Sequence, residues 1–247
     1  MNSIKKNLSS ILERASAWEE KHQLAFPVFL IFLFGIAYGL QVTQLGYVLD
    51  DWVTLYTHYV GGDADLYQYA FMVNRPNVAW IWQFGMNTLG YNPLSWQFFS
   101  LFFRFSAVLL TWLAWRKLWP QHRFQVSLAA ALFAVYPIFS QQSAGMTFST
   151  HWICLTAYSL SILLMIYAVE NRRWRVPLLL GSLLTASVNL FTMEYFIGLE
   201  ILRPVIVGAA HAFAMMHNHP SGCSDPSDAD RRMTRRVREA SEIIGIN

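Results

Sequence analysis

The feature that most constrains this chain is a set of long stretches almost free of charged side chains, at residues 24–42, 96–115, 125–140, 152–169 and 176–193. Crossing the hydrocarbon core of a bilayer takes roughly 20 mainly apolar residues in a helix, because each backbone N–H and C=O must find its partner within the segment. Most of these stretches meet or approach that length, so they read as membrane helices. Composition agrees, with 55% of the 247 residues hydrophobic and 13% charged, about half the charge of an ordinary soluble domain. Lipid is the main solvent this chain suits. The net charge of +3 identifies no partner, because the basic residues cluster at helix ends and in the tail.

Those clusters orient the helices. Lys5, Lys6, Arg14 and Lys21 precede the first run, and Arg116, Lys117, Arg123 and then Arg172, Arg173 and Arg175 flank later ones. The positive-inside rule puts them on the cytoplasmic side of a bacterial cytoplasmic membrane. The segment 43–75, with Asp50, Asp51, Asp63 and Asp65, then belongs outside. This assignment requires residues 77–90 to be re-entrant or interfacial; if they cross instead, two basic loops fall on the wrong side. The first run begins near Leu24 after mixed charge and lacks a small-residue cleavage site, which reads as an anchor and not a removed signal peptide. Cys154 in an apolar run and Cys223 in the tail have such different settings that a disulfide between them is not expected.

Residues 195–216 are apolar but interrupted by Glu200, Arg203 and Pro204. They read either as a poor sixth span or as a soluble helix and strand. A crossing there would bring Arg231, Arg232, Arg235, Arg236 and Arg238 to the cytoplasm. Glu194 and Glu200 are acids beside apolar segments and so candidates for a role, with no partner assigned. The expected fold is mainly α: a polytopic helical region over 1–199, with about five or six spans, and a short, incomplete α/β tail over 200–247.

In the tail, a short apolar run before His217-Asn218-His219-Pro220 has the length of a buried strand. On a strand, His217 and His219 share one face, the relation two imidazoles need to meet one ion. Pro220, Gly222 and Pro226 force a loop. A helix follows near Ser227, with Asp230 placed for a capping box and Met233, Val237, Ala240 and Ile244 on one face. Two imidazoles and the Asp230 carboxylate would supply three ligands to a Zn2+ ion, leaving a fourth position for a water made acidic by the metal. Ser227 reads either as a helix cap or as a hydroxyl for the oxyanion formed at an amide carbonyl.

At these residues the chain resembles a known family. His217-x-His219-Pro220 followed by Ser227-x-x-Asp230 looks like the JAMM signature of JAB/MPN metallohydrolases, and the fuller string HNHPSG, PSDAD and TRRVREASEIIGI resembles the bacterial RadC branch, from about Ile201 to Asn247. The resemblance implies a zinc-dependent metallopeptidase acting on a peptide. It also implies an upstream Glu as general base, and no Glu of this chain can be assigned to that role. A segment of this length buries too little surface to fold alone, so weak metal binding and little or no peptidase activity are expected.

The membrane region carries a second resemblance. Asp50-Asp51 after the first run, a Tyr-rich stretch, and Asn74-Arg75-Pro76 before an aromatic run resemble the start of polytopic GT-C glycosyltransferases. The likeness implies a lipid-linked sugar donor, with Asp50 or Asp51 as base and Arg75 as phosphate contact; alternatively the two acids simply mark a helix end. A third reading is a chain that joins two truncated proteins near 199–207 and has neither activity. Nothing in the sequence supports a nucleic-acid partner, since the tail arginines suit phosphate backbones and anionic lipids equally.

Overall fold

The computed structural model describes residues 14–73, 75–136, 143–193 and 225–243, and the chain divides into two units, Met1–Met193 and Glu194–Asn247. Among the described residues there is no strand. The strand expected to carry His217 and His219 lies outside them, as do Glu194 and Glu200.

In the first unit, α1 (Ala25–Phe34) continues through a π-helical turn at Gly35–Gly39 and a 3-10 turn at Val42–Gln44. It is followed by α2 (Asp50–Met72), α3 (Ala79–Leu89), α4 (Pro93–Leu118), α5 (Arg123–Ala134), α6 (Gly145–Glu170) and α7 (Arg175–Thr192). Four segments are long and apolar enough to cross a membrane: Ala25–Gln44, Pro93–Leu118, Gly145–Glu170 and Arg172–Thr192. The apolar run at 125–140 is helical only to Ala134, with Pro137 three residues beyond; proline disfavours helical backbone in the residue before it.

Charge separates to the two ends of this bundle. At one end, Lys117 on α4 pairs with Glu170 at the close of α6 (2.6 Å), Arg123 at the start of α5 pairs with Glu20 (3.2 Å), and Arg175 donates to the Ala168 carbonyl (3.3 Å). At the other end, Gln97 in the first turns of α4 donates to the Ser143 carbonyl (2.7 Å), Thr147 in the first turn of α6 donates to Asp51, and Asn77 donates to the Phe191 carbonyl near the end of α7 (2.6 Å). Successive passes therefore alternate in direction, and α7 ends at the acidic end.

The core follows from the facing stripes. Phe26, Leu30 and Phe34 of α1 pack on Val108 and Trp112 of α4 and on Val126, Ala130 and Ala134 of α5, with the Phe26 and Trp112 rings stacked at 4.8 Å. Trp112 Nε1 donates to Ser127 Oγ (2.9 Å), which donates to Glu19 (3.0 Å). Tyr38 Oη and Arg104 Nη2 both donate to the Ala134 carbonyl, at 2.7 and 3.0 Å, where α5 stops.

The segment read from sequence as an external loop is helical. Gly62 (φ 68°) breaks α2 into two halves, a backbone state open to glycine. Beyond it α3 has 11 residues, about 16 Å at 1.5 Å per residue and half a bilayer core, so 77–90 is too short to cross as a helix.

In the second unit, α8 (Asp228–Ile243) is amphipathic: Val237 is buried, while Arg231, Arg232, Arg235, Arg236 and Arg238 are exposed.

Candidate functional site

Two sets of side chains have the chemistry for a site, one in each unit. In the tail, Ser227 stands directly before α8. Its N–H and its hydroxyl both donate to Asp230 Oδ2, at 2.8 and 2.7 Å, and its Oγ accepts the Asp230 N–H at 3.2 Å. This is a reciprocal capping box, in which two otherwise orphaned N–H groups of the first turn are satisfied. Asp228 and Asp230 add negative charge where the helix dipole favours it. The single Ser227 proton is thus directed at Asp230. To serve an oxyanion, that hydroxyl would have to leave its carboxylate partner.

Asp230 is the described member of the expected zinc-ligand set, since His217 and His219 lie outside the described residues. Its orientation by Ser227 fits a ligand carboxylate held in one rotamer. Among the described residues no three His, Cys, Asp or Glu side chains converge in a way that could hold a metal ion.

In the first unit, Asp51 is fully buried. Its Oδ1 accepts from the Thr147 N–H (2.8 Å) and the Thr147 hydroxyl (2.7 Å), while its Oδ2 is buried with no hydrogen-bond partner. Burial raises the carboxyl's pKa, against the lowering effect of the Thr147 hydroxyl and of the backbone at Thr147, Val48 and Met146. Nearby, the Tyr47 hydroxyl is also buried and unpartnered, and burial together with the Asp51 charge pushes it up to about 12. Leu49 has φ 51° within a turn closed by the Asp51 N–H on the Val48 carbonyl (3.1 Å). Such backbone in a non-glycine residue costs about 1–3 kcal/mol and needs surrounding contacts to persist.

Asp50 is exposed, and its carbonyl accepts the Thr54 hydroxyl (3.1 Å). Arg75 lies just past α2, its N–H donating to the Ala70 carbonyl (2.9 Å). The structure thus gives the two neighbouring acids different surroundings, Asp51 buried and Asp50 exposed. Thr147 carries no sequence signal as a partner, because it stands 96 residues from Asp51. Farther along α2, His58 bridges Tyr91 (2.8 Å) and Asp63 (3.0 Å), and Gln83 donates to Asp63 (2.7 Å).

Residues 198–247 match the family described as RadC-like JAB domain, so the C-terminal segment is of the JAB class. Among individual relatives, the chain is 44% identical over 48 residues to a UPF0758 protein of Chlorobium luteolum, covering 19% of this chain and 22% of that protein. It is 42% identical over 62 residues to a UPF0758 protein of Rubrobacter xylanophilus, covering 25% and 27%, and 47% identical over 47 residues to one of Symbiobacterium thermophilum, covering 19% and 20%. The chain spans about a quarter or less of the length of these relatives. No solved structure matches it.

Proposed function

We propose that this is an integral membrane protein whose tail carries the zinc-ligand part of a JAB-type metallohydrolase site, with His217, His219 and Asp230 as ligands. The observation that carries this reading is the Ser227–Asp230 capping box, which stands in register with the HNHP motif inside the matched segment. Zinc bound there supplies a Lewis acid for attack of water on a peptide carbonyl. Asp230 would hold the ion from the first turn of α8, and Ser227 keeps that carboxylate in place. A segment this short buries too little surface to hold zinc tightly, and with no Glu assignable as general base it cleaves peptides slowly or not at all.

The test is zinc binding by the full chain at equilibrium with a fixed excess of free zinc. The wild type is expected to bind about one zinc per chain, and His219→Ala to bind none at the same concentration with helix content unchanged. Equal zinc in both proteins would sink the proposed site.

One observation favours a second reading for the membrane region. A buried carboxylate with one free oxygen, beside strained backbone, is a group able to take a proton from an acceptor hydroxyl. In this reading Asp51 is the base of a transferase that uses a lipid-linked sugar, with Arg75 near its phosphate. Asp51→Asn keeps an oxygen for both Thr147 bonds and removes a buried charge. Since the folded-state pKa is raised above 3.8, the stability tied to protonated Asp51 is complete below that value and declines as pH rises through the folded-state pKa. The asparagine variant is therefore expected to be at least as stable at neutral pH, to lose that pH dependence, and to transfer no sugar. Transfer that survives the substitution removes Asp51 from this role.

A further inference from the structure

The first half of α2 presents a stripe that the bundle leaves uncovered. Leu49, Trp52, Val53, Tyr56, Tyr59 and Val60 recur at helical spacings of three and four, and each is 47–73% exposed. At 100° per residue they fill an arc of about 120°. Asp51 and Thr54 occupy the opposite side and are buried. The stripe holds no charged side chain, and half of it is Trp and Tyr, the residues that collect where headgroups meet hydrocarbon.

Its level in the bundle is fixed at both ends. Asp51 is bonded to Thr147 in the first turn of α6. His58 is bonded to Tyr91, and the Tyr59 and Tyr91 rings meet edge to face at 5.9 Å, two residues ahead of Pro93 where α4 begins. The helix therefore runs from the mouth of one span to the mouth of another, across the acidic end. Exposed Val28, Ile31, Phe32, Ile36 and Leu40 line α1 and its continuation, the preceding pass of the chain toward the same end.

We propose that residues 50–61 form a membrane-surface helix whose stripe is buried in the headgroup and upper acyl region of the bilayer. This rests on reading α1, α4, α6 and α7 as membrane-crossing. The lipid surface is the occupant because the stripe is uncharged, is half Trp and Tyr, and lies at the height of the span ends. Such a helix sinks its apolar face about 5–10 Å into that boundary.

The test is a nitroxide scan of the full chain in phospholipid nanodiscs, in a Cys154→Ser, Cys223→Ser background. Single cysteines at Val53, Tyr56 and Val60 carry the label, with Thr57 as the off-stripe position and Ile36 of α1 as the control inside the membrane. Collision with oxygen is expected to exceed collision with a water-soluble nickel chelate at 53, 56 and 60, and the order to reverse at 57. If 36 reports lipid while 53, 56 and 60 report water, the surface helix is overturned and the membrane reading stands. Water at 36 as well overturns both. Spin–spin broadening at 56, or disulfide-linked dimers through it, would assign the stripe to a second copy of the chain instead.

Discussion

Gly85→Ala is expected to lower the stability of the first unit by about 3 kcal/mol, near the top of the range for overpacking a filled core. A Cβ at this position would stand 2.7 Å from Cζ2 and 2.8 Å from Cζ3 of Trp96, and closer still to Cη2. The indole has no room to retreat: Trp96 is 0% exposed, and its Nε1 donates to the Gly90 carbonyl at 2.9 Å. Shifting the ring forfeits that bond, worth about 1 kcal/mol, in addition to the packing of α3 on α4. For a unit of this size the change corresponds to a midpoint lower by roughly 6–12 °C, readable by thermal unfolding in detergent. Adding Trp96→Phe should recover part of the loss, because the smaller ring clears the new methyl; a strictly additive double variant would disprove the contact. A Gly85→Ala protein within about 0.5 kcal/mol of wild type would show that α3 does not pack this closely on α4.

Arg104→Ala is expected to cost a similar amount, about 3–4 kcal/mol, for a different reason. The guanidinium lies 4.1 Å from the centre of the Tyr38 ring and 4.7 Å from that of Trp152, and its Nη2 donates to the Ala134 carbonyl. Alanine removes both cation–π contacts and leaves a cavity in the middle of α4. Arg104→Met separates charge from volume. The unbranched thioether fills most of the space, the desolvation of a buried charge disappears, and Ala134 keeps the Tyr38 hydroxyl as donor at 2.7 Å. Methionine is therefore expected to be at least about 2 kcal/mol less costly than alanine, since apolar replacement of a buried ion at equal volume is often near neutral. Equal losses would mean that the charge itself holds the three elements together.

These two residues also mark where the sequence stops being informative. The long uncharged runs were legible because length and apolarity are local properties, and four of them are helices of membrane-crossing length. Arg104 lies inside one of those runs, and a count of charges per run passes over it, although a single Arg in an apolar segment is itself a signal. The run at 125–140 breaks at Ala134, and Pro137 is the local sign of it. The segment 43–75 reads as an external loop on its acids and tyrosines, yet its apolar residues fall at helical spacing, and Gly62 supplies the fold between two half-helices.

In the tail, Ser227 and Asp230 were legible because a capping box is a four-residue pattern. Asp51 and Thr147 were not a legible pair, because tertiary packing alone brings residues 96 positions apart into contact. The distinction between Asp50 and Asp51 is of the same kind, since only the position of α6 decides which of two adjacent acids is buried.

If the long apolar helices cross a membrane as proposed, the break at Ala134 bears on how the chain enters it during synthesis. A lone Arg104 adds about 2.5–3.5 kcal/mol to the insertion of α4, and α5 supplies only 12 helical residues, fewer than a self-sufficient segment needs. The short α5 is the segment that needs a partner. Four residues separate it from α4, and the carbonyl exposed where α5 stops is the one Arg104 reaches. Entering together as a hairpin, α4 and α5 would each cover in the other the polar group that lipid rejects.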